Sequence, residues 1–170
     1  VGGNWFDVET DNSDYVTWLG ENNDAFLAFK QFSLHRRIQS TLQKVKDAPG
    51  TTSDRSVQNI GGLTIYFHGS NINTRKTGFY AYNGVSSRNI SRGIQKFIDG
   101  ISVANYDNVV SWREGAKYRA YVGDLTNAAR DISITNTVLT LDVEGGQWSI
   151  DPIADVIISS GKFIQSGAEK

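Results

Sequence analysis

Apolar residues along this chain mostly fall in short runs that are rich in aromatic and β-branched types and are broken by Gly, Asn and Asp. Runs of this length and composition are typical of β-strands joined by tight turns. The predicted strands are Tyr15–Leu19, Ala25–Phe32, Leu63–His68, Gly78–Tyr82, Val109–Arg113, Lys117–Val122, Asn136–Asp142, Gln147–Ile150 and Ala154–Ser159. The chain is therefore predicted to be mainly β.

Turn residues stand between several of these runs, at Glu21–Asn23, Gly61–Gly62, Asn83–Gly84 and Gly145–Gly146. Gly and Asn tolerate the positive φ angles that hairpin turns require. We therefore expect neighbouring strands to pair as antiparallel hairpins.

Two segments have apolar residues at helical spacing instead. After Ser91, a residue type common at helix N-caps, the apolar positions are Ile94, Phe97, Ile98 and Ile101. This pattern predicts a short helix that ends near Gly100. In the segment 33–46, the apolar positions are Leu34, Ile38, Leu42 and Val45. That spacing also predicts a helix. Because the segment follows a strongly β run, its first half could instead continue the preceding strand.

The strand pairs recur along the chain, with second strands beginning near Ala25, Phe79 and Val138, at intervals of 54 and 59 residues. The approximate units are 14–60, 61–106, 107–153 and a partial unit 154–170. A unit of this size fits a four-stranded propeller blade with an insertion. The fold class predicted is antiparallel propeller-like blades, three and a partial one, with one or two short helices, and a β-sandwich is the alternative. Because closed propellers have about 4 to 8 blades, this single β-rich module is predicted to be part of a larger propeller.

The composition of the chain excludes several kinds of site and partner. The 17 basic and 18 acidic side chains give a formal charge of −1, which provides no general attraction to nucleic acid and leaves any DNA contact open. There is no cysteine, so disulfides and thiolate metal sites are excluded. No apolar run reaches the roughly 18 residues of a membrane-spanning helix, so no membrane partner is predicted.

Charge is nevertheless uneven along the chain. Residues 1–24 contain six acids and no base, whereas residues 30–46 contain five bases and no acid, Arg36 and Arg37 among them. The two stretches are interpreted as surfaces of opposite sign, with an anionic partner for the second stretch as the alternative. Arg36 and Arg37 are therefore candidate contact residues.

A second basic set, Arg88, Arg92 and Lys96, recurs every four residues through the predicted helix. On a helix this spacing places the three cations on one face, opposite the apolar stripe. The alternatives are a solvated face and a surface that docks against an acidic patch on a neighbouring protein. These three residues are candidate protein contacts.

Catalytic chemistry has little support in the sequence. The two histidines, His35 and His68, have no accompanying G-x-S-x-G nucleophile motif. The acids Asp7, Glu9, Asp11 and Asp14 lack the glycine and the terminal glutamate of a calcium-binding EF-hand loop. No catalytic, metal or cofactor site is predicted.

Four segments together resemble a known family. They are GTTSDRSVQNIGGLTIYFHGS (Gly50–Ser70), TGFYAYNG (Thr77–Gly84), NISRGIQKFIDGI (Asn89–Ile101) and NTVLTLDVEGGQWSI (Asn136–Ile150). These segments are similar to β-propeller structural proteins of tailed-bacteriophage virions, of the neck, tail-hub or packaged-DNA-stabilisation type. The resemblance spans roughly residues 14–158.

The resemblance implies a structural component of the phage particle, located in the virion and not an enzyme. Its implied partners are other virion proteins, in a homo-oligomeric ring. The alternative is a carbohydrate-binding propeller that recognises a host surface, with glycan stacking on Trp5, Trp18, Trp112 or Trp148, although aromatic residues in strands more often pack between sheets. A glycosidase is the remaining alternative.

Overall fold

The computed structural model describes residues 14–22, 25–70 and 76–152. Within them the chain forms twelve strands in three antiparallel sheets of four strands each. The strands are β1 (Val16–Asn22), β2 (Ala25–Lys30), β3 (Leu34–Ile38), β4 (Thr41–Lys44), β5 (Gln58–Ile60), β6 (Leu63–His68), β7 (Gly78–Tyr82), β8 (Ser87–Asn89), β9 (Val110–Glu114), β10 (Lys117–Asn127), β11 (Ile132–Asp142) and β12 (Gln147–Pro152). The predicted mainly β, antiparallel class is confirmed.

Each sheet is a meander in which every strand pairs with the next strand along the chain. The first sheet holds β1 to β4, the second β5 to β8 and the third β9 to β12. The Gly61–Gly62 turn joins β5 to β6 and has φ angles of 58° and 77° at its two residues. The predicted glycine turn is therefore confirmed, and local hairpins build all three sheets.

The predicted helix is present but short. A 3-10 turn at Arg92–Ile94 leads directly into α1 (Gln95–Ile98). Ser91 occupies the N-cap position of the turn, but its hydroxyl makes no capping bond there and instead accepts a hydrogen bond from the N–H of Phe79 at 3.0 Å. The serine thus attaches the turn to β7.

Residues 33–46 form the β3–β4 hairpin, so the helical interpretation of that segment is wrong. Arg37 pairs with Leu42 across the hairpin, and Gln39 supplies the turn with a φ of 56°. Leu34 pairs with Phe29 of β2, so the segment extends an existing sheet. Pairing with that sheet outweighs the helical spacing of a few apolar residues.

The short edge strands β5 and β8 were not predicted. Each has only three residues and a largely polar sequence, too short for an alternation to be visible. Because β5 pairs with β6, it belongs to the second sheet. The predicted unit limits, approximately at residues 60, 106 and 153, remain predictions. The predicted strand Ala154–Ser159 and the partial unit 154–170 lie outside the described residues.

The β10–β11 pair is longer than predicted because two irregularities lie inside it. The register shifts between Tyr121 and Gly123 and again between Gly123 and Leu125, where Gly123 has a φ of 77°. These are β-bulges, which add a residue to one strand without ending the pairing.

The second sheet is covered on both faces. Ile65, Phe67, Phe79 and Ala81 face one apolar cluster, which they share with residues of the third sheet such as Tyr118 and Leu139. The alternate residues Tyr66, Tyr80 and Tyr82 face another cluster, shared with Leu27, Phe29 and Leu34 of the first sheet. The second sheet therefore lies between the other two.

The second sheet contacts the first sheet and the third sheet through aromatic rings. Towards the first sheet, the rings of Phe29 and Tyr66 meet edge to face with centroids 4.6 Å apart. Towards the third sheet, Phe79 lies 5.7 Å from Tyr118 and 5.2 Å from Trp148. Edge-to-face and tilted pairs at such distances are favourable arrangements of aromatic rings. The two interfaces are therefore packed cores.

Tyr118 also joins the third sheet, by a buried hydrogen bond, to the 3-10 turn Asp54–Ser56 that precedes β5. Its hydroxyl donates to the main-chain oxygen of Ser56 at 2.8 Å, and the side chain is fully buried. Burial raises the pKa of the Tyr118 hydroxyl well above the usual tyrosine value, because the phenolate would lose its hydration.

This pKa shift gives the stability a dependence on alkaline pH. Above about pH 10 the unfolded chain loses the Tyr118 proton while the folded protein keeps it, so the free energy of unfolding should fall by about 1.4 kcal/mol per pH unit from this residue. Urea unfolding at several alkaline pH values should show a shallower decline for Tyr118→Phe than for the native chain. Parallel declines would contradict the prediction.

Candidate protein-contact site

The site begins at the corner where β8 ends and the 3-10 turn starts. Oδ1 of Asn89 accepts hydrogen bonds from the main-chain N–H of Ser91 at 2.9 Å and from its hydroxyl at 3.2 Å. The Ser91 hydroxyl also accepts from Phe79 of β7. These bonds fix the corner to the sheet, with Arg88 just before it and Arg92 just after it.

Lys76 lies beside the same corner, two residues before the start of β7 at Gly78. The hydroxyl of Tyr80, a buried residue of β7, donates a hydrogen bond to the main-chain oxygen of Lys76 at 2.8 Å. The backbone of Lys76 is therefore held against the sheet, while its side chain is exposed.

These elements surround a cavity of about 480 Å³. Its lining residues are Asp47, Lys76, Tyr80, Ser87, Arg88, Asn89 and Arg92. A second cavity, of about 270 Å³, is lined by Lys76, Arg92 and Gln95. Because the two cavities share lining residues they are neighbouring parts of one surface, which we call the basic groove.

The basic groove has an excess of positive charge that the fold does not neutralise. Within the described ranges, the side chains of Lys76, Arg88 and Arg92 have no hydrogen bond or ion pair. Asp47 is the one carboxylate in the lining of the larger cavity, and it forms no ion pair with them. Three cations against one carboxylate leave the groove able to bind anionic groups.

The structure brings together only part of the predicted basic set. Arg88 and Arg92 both line the groove, but Arg88 lies in β8, so the predicted single helical face is wrong. Lys96 is in α1 and outside both cavity linings, with its Nζ 4.8 Å from the centroid of the Phe97 ring. Lys76 was not predicted, because helical spacing relates residues of one helix and does not relate residues that a hairpin brings together.

Arg36 and Arg37, the other predicted contacts, lie in β3. Nη1 of Arg36 donates a hydrogen bond to the main-chain oxygen of Gly84 at 2.6 Å, in the loop between β7 and β8. Arg36 therefore links the first sheet to the second. Arg37 is exposed, and its Nε donates to the main-chain oxygen of Gln39 at 2.7 Å. The contact role of both residues remains a prediction.

A separate polar cavity of about 240 Å³ lies at the bulges of β10. Its lining residues are Asn105, Asn108, Tyr121, Val122, Gly123, Asp124 and Asn136. The Tyr121 hydroxyl donates to Oδ1 of Asn136 at 3.1 Å, and Oδ1 of Asp124 accepts from the Asn136 N–H at 2.9 Å. Desolvation, with the charge of Asp124, raises the pKa of Tyr121. Amide and hydroxyl groups in this arrangement can exchange hydrogen bonds with a polar, uncharged ligand.

One buried cluster contains the residue types of a catalytic triad but not its geometry. The hydroxyl of Ser33 donates to Oδ2 of Asp14 at 2.7 Å and lies 3.1 Å from Nε2 of His35. In a triad the acid orients the histidine and the histidine takes the serine proton. Here the serine proton points to the acid, and Asp14 also accepts a hydrogen bond from the N–H of Phe32. The cluster fastens the β2–β3 turn.

Two of the tryptophans considered for glycan stacking pack against the core. Trp18 lies edge to face on Phe29 with centroids 5.5 Å apart. Trp148 packs on Phe79 and donates its indole N–H to the main-chain oxygen of Ile90 at 2.9 Å. Trp112 is half-buried in β9, and Trp5 lies outside the described residues. The geometry therefore favours packing over a stacking platform for Trp18 and Trp148.

No helix in the described ranges is long and apolar enough to cross a membrane. No group of three or more histidine, aspartate or glutamate side chains in these residues could hold a metal ion. No protein-family model and no curated protein matches the chain. The geometry of the described residues and the sequence resemblance are therefore the evidence that bears on function.

Proposed function

We propose that this chain is a structural component of a tailed-bacteriophage particle, formed of propeller blades and acting through contacts with other virion proteins. The observation that carries the proposal is the second sheet, a four-stranded meander buried on both faces between two others. An interior propeller blade has this environment, since each blade packs against the next around the axis. The resemblance of four sequence segments to virion propellers supports the same assignment.

The exposed edge of the first sheet supports self-association in a ring. Tyr15, Val16 and Leu19, at and before β1, are 60%, 43% and 56% exposed. Apolar side chains along an edge strand provide a surface for association with another chain. The proposed oligomer would cover them.

The proposed role is non-enzymatic, and its direct test is the composition of the particle. Quantitative mass spectrometry of gradient-purified particles, from the phage whose genome encodes this chain, should detect its peptides at a fixed ratio to the major capsid protein. Mock-purified lysate of uninfected cells is the control. Peptides that are found only in infected cells and not in particles would overturn the virion role.

Carbohydrate binding is a second candidate, and the polar cavity at the β10 bulges favours it. Asn105, Asn108 and Asp124 present amide and carboxyl groups beside the ring of Tyr121, a combination suited to sugar hydroxyls and a sugar ring face. Binding of the purified chain to a glycan array would support this candidate, and an array without signal would count against it.

A further inference from the structure

The lining of the basic groove includes three consecutive residues of one strand, Ser87, Arg88 and Asn89. Successive side chains of a strand point to opposite faces of the sheet. In the register of the second sheet, Ser87 and Asn89 stand opposite Tyr82 and Tyr80, whereas Arg88 stands opposite Ala81. A cavity that all three residues line therefore lies along the edge of β8 and not over one face.

The edge of β8 has main-chain groups that no other strand of the described residues pairs with. β8 is the last strand of its sheet, with β7 as its neighbour. The Ile90 N–H bonds to the Phe79 oxygen at 2.9 Å and the Asn83 N–H bonds to the Ser86 oxygen at 3.2 Å. In an antiparallel ladder, pairs that exchange main-chain hydrogen bonds alternate with pairs that do not. Arg88 is two residues from both Ile90 and Ser86, so its main-chain groups point to β7. The main-chain groups of Ser87 and Asn89 therefore point outward.

We propose that the basic groove binds an extended acidic segment of a partner protein, which adds as a further strand to the edge of β8. The segment's main chain would pair with the outward N–H and C=O groups of Ser87 and Asn89. Its carboxylates would meet Lys76, Arg88 and Arg92, three cations of the groove that have no side-chain partner among the described residues. The proposal rests on the protein-contact role proposed above and names the chemistry of one partner.

The groove favours a peptide over a nucleic acid because it presents acceptors as well as donors. The outward carbonyl groups of β8 need N–H donors, which a peptide main chain supplies and a phosphate backbone does not. Oε1 of Gln95, which lines the smaller cavity, is buried and has no hydrogen-bond partner among the described residues. A buried acceptor of this kind is stabilised when a donor reaches it.

The test measures fluorescence anisotropy with labelled octapeptides and the purified full chain. Alternating Glu-Thr is the acidic probe, Gln-Thr is its uncharged match, and Glu-Thr methylated at every main-chain nitrogen keeps the carboxylates but lacks main-chain N–H donors. We expect Glu-Thr to bind about tenfold or more tightly than either control, with affinity that falls as salt rises. A thymidine oligonucleotide of the same charge should bind more weakly than Glu-Thr.

Variants of the basic residues test whether the Glu-Thr peptide binds in the basic groove. Arg88→Gln with Arg92→Gln should weaken Glu-Thr binding about tenfold or more, because two charge-assisted contacts are lost. Lys96→Gln, which removes an exposed cation outside the groove, is the matched control and should change nothing. Because Arg88 and Arg92 are exposed, thermal unfolding of the double variant should match that of the native chain.

Three results would overturn the proposal. They are no binding of Glu-Thr, equal binding of the N-methylated peptide, and oligonucleotide binding tighter than that of Glu-Thr. The last would indicate a phosphate site. Each is distinct from failure of the virion role, which the mass spectrometry of particles tests without reference to the groove.

Discussion

Replacing Phe79 by alanine should lower the free energy of unfolding by about 3 to 5 kcal/mol. Phe79 is fully buried between the second and third sheets, where its ring lies 5.1 Å from Phe67 and 5.2 Å from Trp148. Truncation removes apolar burial and leaves a cavity that these large rings cannot readily fill. A loss of this size is a substantial part of the roughly 5 to 15 kcal/mol that stabilise typical domains.

Urea unfolding followed by tryptophan fluorescence measures this effect. Phe32→Ala is the matched control, because Phe32 is 38% exposed and belongs to neither core cluster. We expect Phe32→Ala to lower the free energy of unfolding by less than about 1 kcal/mol. Equal losses for the two variants would show that Phe79 does not join the sheets as described.

The second large effect is expected at Gly50. A Cβ atom at this position would lie 1.8 Å from the main-chain oxygen of Lys30 and 2.6 Å from the main-chain nitrogen of Ser33. That oxygen also accepts a hydrogen bond from the N–H of Thr51 at 3.0 Å, so it cannot move away without breaking this contact. Gly50→Ala should therefore destabilise the chain by about 2 to 3 kcal/mol or more.

Thermal unfolding followed by circular dichroism tests the Gly50 prediction. A loss of this size corresponds to a fall in Tm of about 5 to 10 °C for a chain of this length. Gly93→Ala is the control, because a Cβ there has no heavy atom within 4 Å. The control should leave Tm unchanged or slightly raised. A Gly50→Ala variant as stable as the control would contradict the close approach of residue 50 to the β2–β3 turn.

Burial on both faces explains why the sequence predicted the two central strands of the second sheet best. The strands Leu63–His68 and Gly78–Tyr82 were predicted with the bounds they have in the structure. Most residues in them are buried on one side of the sheet or the other, so their sequences are largely apolar and rich in aromatic residues. Strands of three polar residues, such as Ser87–Asn89, have no comparable pattern.

The candidate site was predicted only in part for the same reason. Arg88 and Arg92 were recognised by their spacing, but the helix that was to carry them both begins only after Arg88. Lys76 lies twelve residues before Arg88 and reaches the groove because β7 and β8 form a hairpin. Without β8 in the prediction, neither that hairpin nor the groove at its edge could be inferred.

We propose that repeated β meanders pack around one axis and serve a phage particle through their contacts. An electron cryomicroscopy map of the assembled particle would show both the arrangement of the sheets and their place in the particle. We expect three successive four-stranded sheets in the tail or neck region, arranged as propeller blades, with an acidic strand of a neighbour along the edge of β8. A particle map fully accounted for by other proteins, with no density for these sheets, would contradict the claim.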